Sequence, residues 1–342
     1  MVRVLFMTYP WALQMPGGGE RVLLNSRAEL LRRGYGVDLF DPWKHKLRDY
    51  DVVHYFHCPG WEAWERIKAF GGRLVVTPTL WWDPPVRGWL SRQFRHSLHR
   101  LVDPWWVPPI DERDARAHLM IPDLLLPASE AEAARLERHL GIPRSKMGVV
   151  RNAVTIDESG ALPPDLAEAL GNKGVLLCVG SFHRVKNQLG LIHALRRTEF
   201  RVVFIGSRYP EDTEDYLETC RREAGAKHWF FPQQPRGVVL QAMRRTKVYV
   251  QPSLRETCGL AALEAAALGC RVAITERGAT TEYFSRFASY CNPEDESSIR
   301  RAIETACETD YAEDLATLIR SEYTWKRVGD QLESAYKEII SS

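Results

Sequence analysis

Short apolar runs alternate along the chain with stretches in which apolar positions recur every three or four residues. Residues 2–8 (VRVLFMT) read as a buried strand, and Val37-Asp38-Leu39-Phe40 as the next. Between them 21–33 has helical spacing, with Val22, Leu23, Leu30 and Leu31 on its apolar face and Gly34 as its stop. Strand, helix, strand in this order predicts a parallel sheet with right-handed crossovers. Further strands are expected at 51–57, 73–77 (RLVVT), 124–127 and 147–150, and Ser129 caps a helix running to about His139. Residues 155–172 break the pattern with Asp, Ser, Gly and the pair Pro163-Pro164, so they predict a linker. A second alternation follows, with strands at 174–179, 200–205, 229–231 and 248–250 and a helix behind each. After 282 come a strand, a turn and an amphipathic helix, and the tail carries Trp325, Val328, Leu332, Tyr336 and Ile339 on one helical face.

Two alternations in 342 residues predict two α/β domains, and a hydrophobic content of 45% supplies a core for each. The net charge of +2 argues against a protein built to neutralise nucleic-acid phosphates, so no nucleic-acid partner is expected. Seven cysteines, odd in number and without C-x-x-C spacing, read as reduced thiols of a cytosolic protein. The apolar run at 4–10 is too short for a secretion signal, and no stretch approaches 18 apolar residues. The expected location is therefore cytoplasmic.

The chemistry concentrates in 251–282 (QPSLRETCGLAALEAAALGCRVAITERGATTE), where Glu256 and Glu264 stand eight positions apart. A strand leads into Pro252-Ser253, and strong helix formers run from Leu260 until Gly269 offers a stop. The amides of Gly259, Leu260 and Ala261 would open that helix as an anion site, with Gly259 removing a side chain that could block a phosphate. One ligand with an anionic middle and hydroxyls at both ends suits this layout, as a nucleotide-sugar does. In the first half, Gly17-Gly18-Gly19 follows the first strand, where open α/β sheets bind ligands. It is not G-x-G-x-x-G, so no nicotinamide cofactor is expected. Asp49-Tyr50-Asp51 precedes a strand and reads as a turn, whereas His57 lies at a strand exit. Nine of the eleven tryptophans come before residue 107, and 86–101 holds four arginines and two histidines with no acid.

The stretch from Glu256 to Glu264, with Gly278-Ala279 and Glu282 beyond, resembles the E-x7-E region of retaining glycosyltransferases of the GT-B fold. This is the large group 1 assembly of mannosyl-, glucosyl- and N-acetylglucosaminyl-transferases. The resemblance spans nearly the whole chain, strongest after 124, where LLLPASEAEAARLERHLGIPRSKMGVVRNAV is similar to the end of a first GT-B domain. It implies two Rossmann-like domains with parallel sheets facing across a cleft. The acceptor domain would be 1–160 with the final helix 324–342 returning to it, and the donor domain 165–323.

The implied roles are Glu256 on the transferred sugar's hydroxyls and Glu264 on the ribose, with Thr257, Cys258, Gly259 and Leu260 along the donor. Gly18 and Gly19 would lie beside the donor diphosphate or the acceptor, and Pro232 and Gln233 beside the base. Members usually have an arginine after the glycine that follows the strand at 174–179. Here Ser181 stands there, Lys186 matches the family's lysine, and Arg184 is expected to supply the second charge on the diphosphate. Where relatives end the fourth strand in a histidine, this chain has Pro78-Thr79-Leu80-Trp81-Trp82. His57, Trp81 and Trp82 are expected on the acceptor side.

The expected reaction is transfer of a hexose-type sugar from a UDP- or GDP-sugar to a hydroxyl of a glycan or lipid-linked acceptor, with retention. It needs neither cofactor nor metal if Lys186, Arg184 and the helix end hold the leaving diphosphate. The basic, tryptophan-rich segment adds an expectation of peripheral binding at the inner membrane face. A nucleotide-sugar epimerase, and a pseudoenzyme that binds donor without turnover, are the alternatives.

Overall fold

The structure is a computed structural model that describes residues 1–10, 12–14, 17–57, 62–70, 72–80, 112–172, 174–208 and 215–341. The chain folds into two compact units. The first comprises Met1–Gln14, Leu30–Val149 and Ser334–Ser342, and the second Met15–Glu29 and Val150–Glu333.

The first unit is built on strands β1 (Arg3–Met7), β2 (Gly36–Leu39), β3 (Val52–Phe56), β4 (Arg73–Thr77) and β5 (Leu124–Leu125). All pair in parallel in the order β2-β1-β3-β4-β5. The order reverses between β1 and β3, so the loops leaving these two strands diverge at the carboxyl edge. The unit's helices are α2 (Glu62–Ala69), α3 (Glu112–Leu119) and α4 (Glu130–Leu140), while α1 (Gly18–Arg32) belongs to the second unit up to Glu29 and to the first from Leu30. Apolar side chains from both faces of the strands are withdrawn from water, Val4, Leu5, Val52 and Val53 among them, as a doubly covered parallel sheet requires.

Three local expectations are corrected. Helix α1 begins at Gly18 rather than at 21, because the Glu20 carboxylate accepts from the Gly17 amide at 2.7 Å and satisfies an opening N–H. Gly18 and Gly19 thus lie in its first turn instead of in a loop. The strand expected at 147–150 is reduced to one bridge, Leu125 with Met147, since its partner β5 is only two residues long. The linker expected at 155–172 is shorter, because Pro163 caps a helix, α5 (Pro164–Gly171), and Pro164 stands in its first turn, where a missing N–H costs no hydrogen bond.

The second unit has strands β6 (Val175–Val179), β7 (Arg201–Ile205), β8 (Trp229–Phe231), β9 (Val248–Gln251), β10 (Arg271–Thr275) and β11 (Ser289–Cys291). They pair in parallel in the order β11-β10-β9-β6-β7-β8, which reverses between β6 and β9. Helices α6 (Gln188–Ala194), α7 (Tyr216–Ala224), α8 (Arg236–Arg245), α9 (Leu260–Ala267), α10 (Thr280–Phe284), α11 (Glu296–Glu308), α12 (Ala312–Glu322) and α13 (Trp325–Ser341) complete it. The last residues of α13 belong to the first unit. Cys178, Cys220, Cys258, Cys270 and Cys291 are buried free thiols, while Cys307 is half-buried. Cys58 lies outside the described residues.

Within the first unit, His54 of β3 is fully buried. Its Nδ1 shares a hydrogen bond of 2.6 Å with the Tyr336 hydroxyl, and its Nε2 one of 2.9 Å with Thr77 Oγ1. Burial lowers its pKa to about 3. The unfolded chain binds a proton below the ordinary histidine value of about 6.5, whereas the folded chain does not. Stability from this group is therefore complete above about pH 6.5 and is lost as pH falls toward the folded value, by at most about 1.4 kcal/mol per unit. Urea unfolding should show His54→Gln to be destabilised at pH 7, with the gap to the parent closing by pH 4. A gap that stays constant would mean that His54 does not titrate on unfolding.

Candidate functional site

The reversal of strand order between β6 and β9 leaves their outgoing loops side by side at the carboxyl edge of the second sheet, where open α/β sheets accept ligands. The loop after β6 forms a 3₁₀ turn, Arg184–Lys186, ended by Asn187 in the left-handed conformation (φ 56°). The loop after β9 runs from Pro252 to Glu256. The two are laced together, since Leu254 N donates to Val185 O at 2.8 Å and Asn187 Nδ2 to Pro252 O at 3.0 Å. This lacing brings Lys186 onto Glu256.

Three donors converge on Glu256 Oε1: Lys186 Nζ at 2.6 Å, Gln251 Nε2 at 2.5 Å and Ser253 Oγ at 2.7 Å. The carboxylate side chain is only 8% exposed and the lysine 34%. Burial disfavours the ammonium, but the Glu256 charge and hydrogen bond outweigh it and hold the Lys186 pKa above its ordinary value. Lys186 is thus a cation at neutral pH. The backbone of Glu256 is clamped as well, its amide donating to Arg277 O and its carbonyl accepting from Ala279 N, both at 3.1 Å.

Glu264 lies on α9, the helix that follows. It is ion-paired with Arg236 of α8, Nη1 to Oε1 at 2.9 Å, with both side chains nearly buried. Burial raises the Glu264 pKa, while Arg236 and, more weakly, Arg21 oppose the rise. Gly259 opens α9 in the left-handed conformation (φ 74°), and a Cβ there would press on Ile274 at 3.1 Å. The structure thus gives the glycine a conformational and packing reason, where the sequence suggested clearance for a phosphate. The amides at the start of α9 have no partner within the helix. Leu260 also meets the glycine segment, since a Cβ on Gly18 would fall 2.9 Å from its Cδ1.

The other expected residues each have their own setting. Cys258 is buried, accepts from Asn152 Nδ2 at 3.1 Å, and is pushed by burial to a pKa of about 12, so it is a packed thiol rather than a nucleophile. Thr257 beside it is half-buried. Ser181 offers its carbonyl to Gln188 Nε2 at 2.9 Å. Arg184 is exposed and not among the donors to Glu256. Pro232 and Gln233 are exposed just after β8. In the first unit, His57 leaves β3 at the reversal between β1 and β3, with φ 72° and its ring 5.8 Å from that of Tyr9. Trp81 and Trp82, with the basic run at 86–101, lie outside the described residues. Glu282, noted in the sequence for its spacing, pairs with Arg151 at 2.8 Å. A cavity of about 460 Å³ beside that pair includes Asn152, Tyr323 and Arg327 in its lining, but not Glu256, Glu264 or Lys186.

Gln251, Ser253 and Arg236 were not anticipated. Gln251 and Ser253 carried a usable signal, a polar residue closing an otherwise apolar strand and a serine two positions on, just before Glu256. Arg236 carried none, being one arginine of a helix rich in them. Among the described residues no group of three or more His, Cys, Asp or Glu could hold a metal, and no helix is long and apolar enough to cross a membrane.

Residues 167–324 match the model of the family described as Glycosyl transferases group 1. No curated protein matches the chain in sequence. Among solved structures, the chain is similar to a glycosyltransferase from Rickettsia africae ESF-5, at 13% identity over 99% of each chain with a TM-score of 0.72. It is similar to sucrose-phosphate synthase from Thermosynechococcus elongatus, at 15% identity over 100% of both chains and a TM-score of 0.74. It is also similar to Anabaena HepE in complex with UDP-glucose, at 15% identity over 99% of this chain and 100% of that one, with a TM-score of 0.74. Identities this low establish the fold alone, and that fold is the α/β, GT-B type expected from the sequence. Within it, the group 1 match falls on the unit that holds Glu256 and Lys186.

The backbone clamp on Glu256 depends on Gly278, whose φ is 114° and where a Cβ would overlap the Glu256 carbonyl oxygen. Gly269 also has a positive φ, 88°, yet a Cβ there would meet nothing within 4 Å. Gly269→Ala should therefore cost only backbone strain, about 1–2 kcal/mol, and Gly278→Ala clearly more. Urea unfolding of the two variants checks this, and equal losses would contradict the clamp.

Proposed function

We propose that the chain is a glycosyltransferase that moves a hexose-type sugar from a UDP- or GDP-sugar to a hydroxyl of a glycan or lipid-linked acceptor, with retention of configuration. The observation that carries this reading is the contact between Lys186 and Glu256 at the strand-order reversal of the second sheet, inside the segment that matches group 1 glycosyltransferases. A buried carboxylate touching an ammonium suits a ligand whose sugar hydroxyls adjoin a diphosphate. The Anabaena HepE structure, which holds UDP-glucose, supports a nucleotide-sugar as donor.

In this reading Glu256 accepts hydroxyls of the transferred sugar, and Glu264 accepts the ribose hydroxyls. Thr257 and Cys258 contribute backbone beside the donor, and the amides opening α9 at Gly259 and Leu260 face the diphosphate, with Gly18 and Gly19 close by. Pro232 and Gln233 border the base, and Ser181 borders the phosphates. The bond from the anomeric carbon to the diphosphate oxygen breaks with its electron pair leaving on the diphosphate. The acceptor oxygen bonds to that carbon on the same face, and its proton passes to the departing diphosphate. Lys186 and Arg184 meet charge that grows as the bond stretches, so they favour the transition state over the ground state. With those cations in the role, the reaction needs no metal. The acceptor is assigned to the first unit, with His57, Trp81 and Trp82 as its contacts, and the enzyme to the cytoplasm with peripheral binding at the inner membrane face.

Calorimetric titration with UDP, UDP-glucose, GDP and GDP-mannose tests the donor site. Glu264→Ala should weaken the free nucleotide and the nucleotide-sugar alike, whereas Glu256→Ala should weaken the nucleotide-sugar far more. Lys186→Ala should slow turnover more than about tenfold, the loss of a charge-assisted contact of about 1.5–3 kcal/mol. Unchanged affinities in both glutamate variants would remove the assignment.

A further inference from the structure

Arg236 stands in the first turn of α8, just after the loop that leaves β8, and its guanidinium is directed to three places at once. Nη1 meets Glu264 at 2.9 Å and Nε meets Glu158 at 2.9 Å, while Nη2 donates to the carbonyl of Thr155. Its side chain is 12% exposed and that of Glu264 is 10%, so the pair sits in a medium where a charge needs a partner. The segment carrying Thr155 and Glu158 is itself fixed to α8. Arg244 donates to Ile156 O at 2.7 Å, and a Cβ on Gly160 would fall 2.8 Å from Val238 N. A Cβ on Gly237 would likewise overlap the Ser159 carbonyl. Backbone lies on backbone here, which leaves the Arg236 side chain little freedom and points it at Glu264.

We infer that Arg236 is a positioning residue for the donor nucleotide, holding the Glu264 carboxylate ionised and oriented so that it can accept the two ribose hydroxyls. This rests on the reading that Glu264 takes the ribose. A neutral carboxyl group would have to donate at one of its oxygens, so it could not accept from both hydroxyls equally. The groups that act on Glu264 are Arg236 from α8, Arg21 from α1 and Glu158 from the segment before α5. The two arginines favour the charged form, while burial and Glu158 oppose it. Without Arg236 the balance moves to the protonated form, so nucleotide affinity should fall as pH falls.

The test is calorimetric titration of the full chain with UDP and with GDP at pH 8, 7 and 6. The chains compared are the parent, Arg236→Ala, Arg236→Lys, Glu264→Gln and the double variant Arg236→Ala/Glu264→Gln. Arg236→Ala should bind the preferred nucleotide about tenfold more weakly at pH 8 and progressively more weakly toward pH 6, a steeper dependence than the parent's. Arg236→Lys should restore the parent's pH dependence. Glu264→Gln should bind weakly at every pH, and adding Arg236→Ala to it should introduce no new pH dependence.

Arg236→Ala that binds like the parent at all three pH values, or that loses affinity equally at each, overturns the inference and leaves Arg236 a merely structural role. If Arg236→Ala does not melt cooperatively, Arg236→Lys decides, and a steep pH dependence in that variant overturns the inference too. Glu264→Gln binding as tightly as the parent overturns the ribose reading, and the inference with it. A parent chain that binds neither nucleotide does the same. Weak binding by Glu264→Gln beside an unaffected Arg236→Ala removes the inference alone.

Discussion

A carboxylate withdrawn from water must be given partners, and Glu256 is the place where the second unit meets that demand. Moving such a charge out of water costs several kcal/mol, and three donors on one oxygen offset the cost only if all of them arrive together. Their arrival fixes much else. Lys186 must come from the turn after β6, while Gln251 and Ser253 come from the end of β9 and the loop beyond it. The loop after β10 must close over the Glu256 backbone, which only a glycine at 278 allows. Three neighbouring strands, β10, β9 and β6, therefore deliver their exits to one point.

Glu264 meets the same demand in a different way. Its partner is a single arginine that also reaches the segment joining the first unit's chain to α5, so one guanidinium serves two carboxylates and a carbonyl. The two glutamates differ accordingly. Glu256 is bound by a cation and two neutral donors and built into its loop at backbone level, whereas Glu264 sits on a regular helix and depends on a side chain from the preceding helix. One carboxylate is thus fixed at backbone level as well as by a cation, the other by side-chain charge alone.

The first unit shows how a polar group can serve packing instead. His54 is surrounded by apolar strands, and its two ring nitrogens are answered by Tyr336 and Thr77. That arrangement ties the end of α13 to β3 and keeps the imidazole neutral. His57, three residues on, lies outside the strand at the reversal of sheet order, so two histidines of similar sequence context have opposite settings.

The sequence by itself determined the strands, the helices behind them and the two-sheet plan, because burial on a strand or along one helical face leaves a local period in the residues. It also singled out Glu256, Glu264, Gly259 and Lys186 as candidates for one site, since these residues carry a spacing and a resemblance to known glycosyltransferases. Local pattern was less reliable at the margins. Pro163-Pro164 read as linker and begins a helix, the stretch at 147–150 read as strand and makes one bridge, and Gly18 read as loop and lies in α1. In each case the deciding partner, an N-terminal turn, a short β5 or the Glu20 carboxylate, had to be seen in place. Which cation meets which carboxylate was decided only by tertiary structure. Lys186 and Glu256 lie 70 positions apart and meet because β6 and β9 are neighbours. Arg236 reaches Glu264 because α8 and α9 pack together. Periodicity records burial one residue at a time, whereas an ion pair depends on the order in which strands are laid into the sheet.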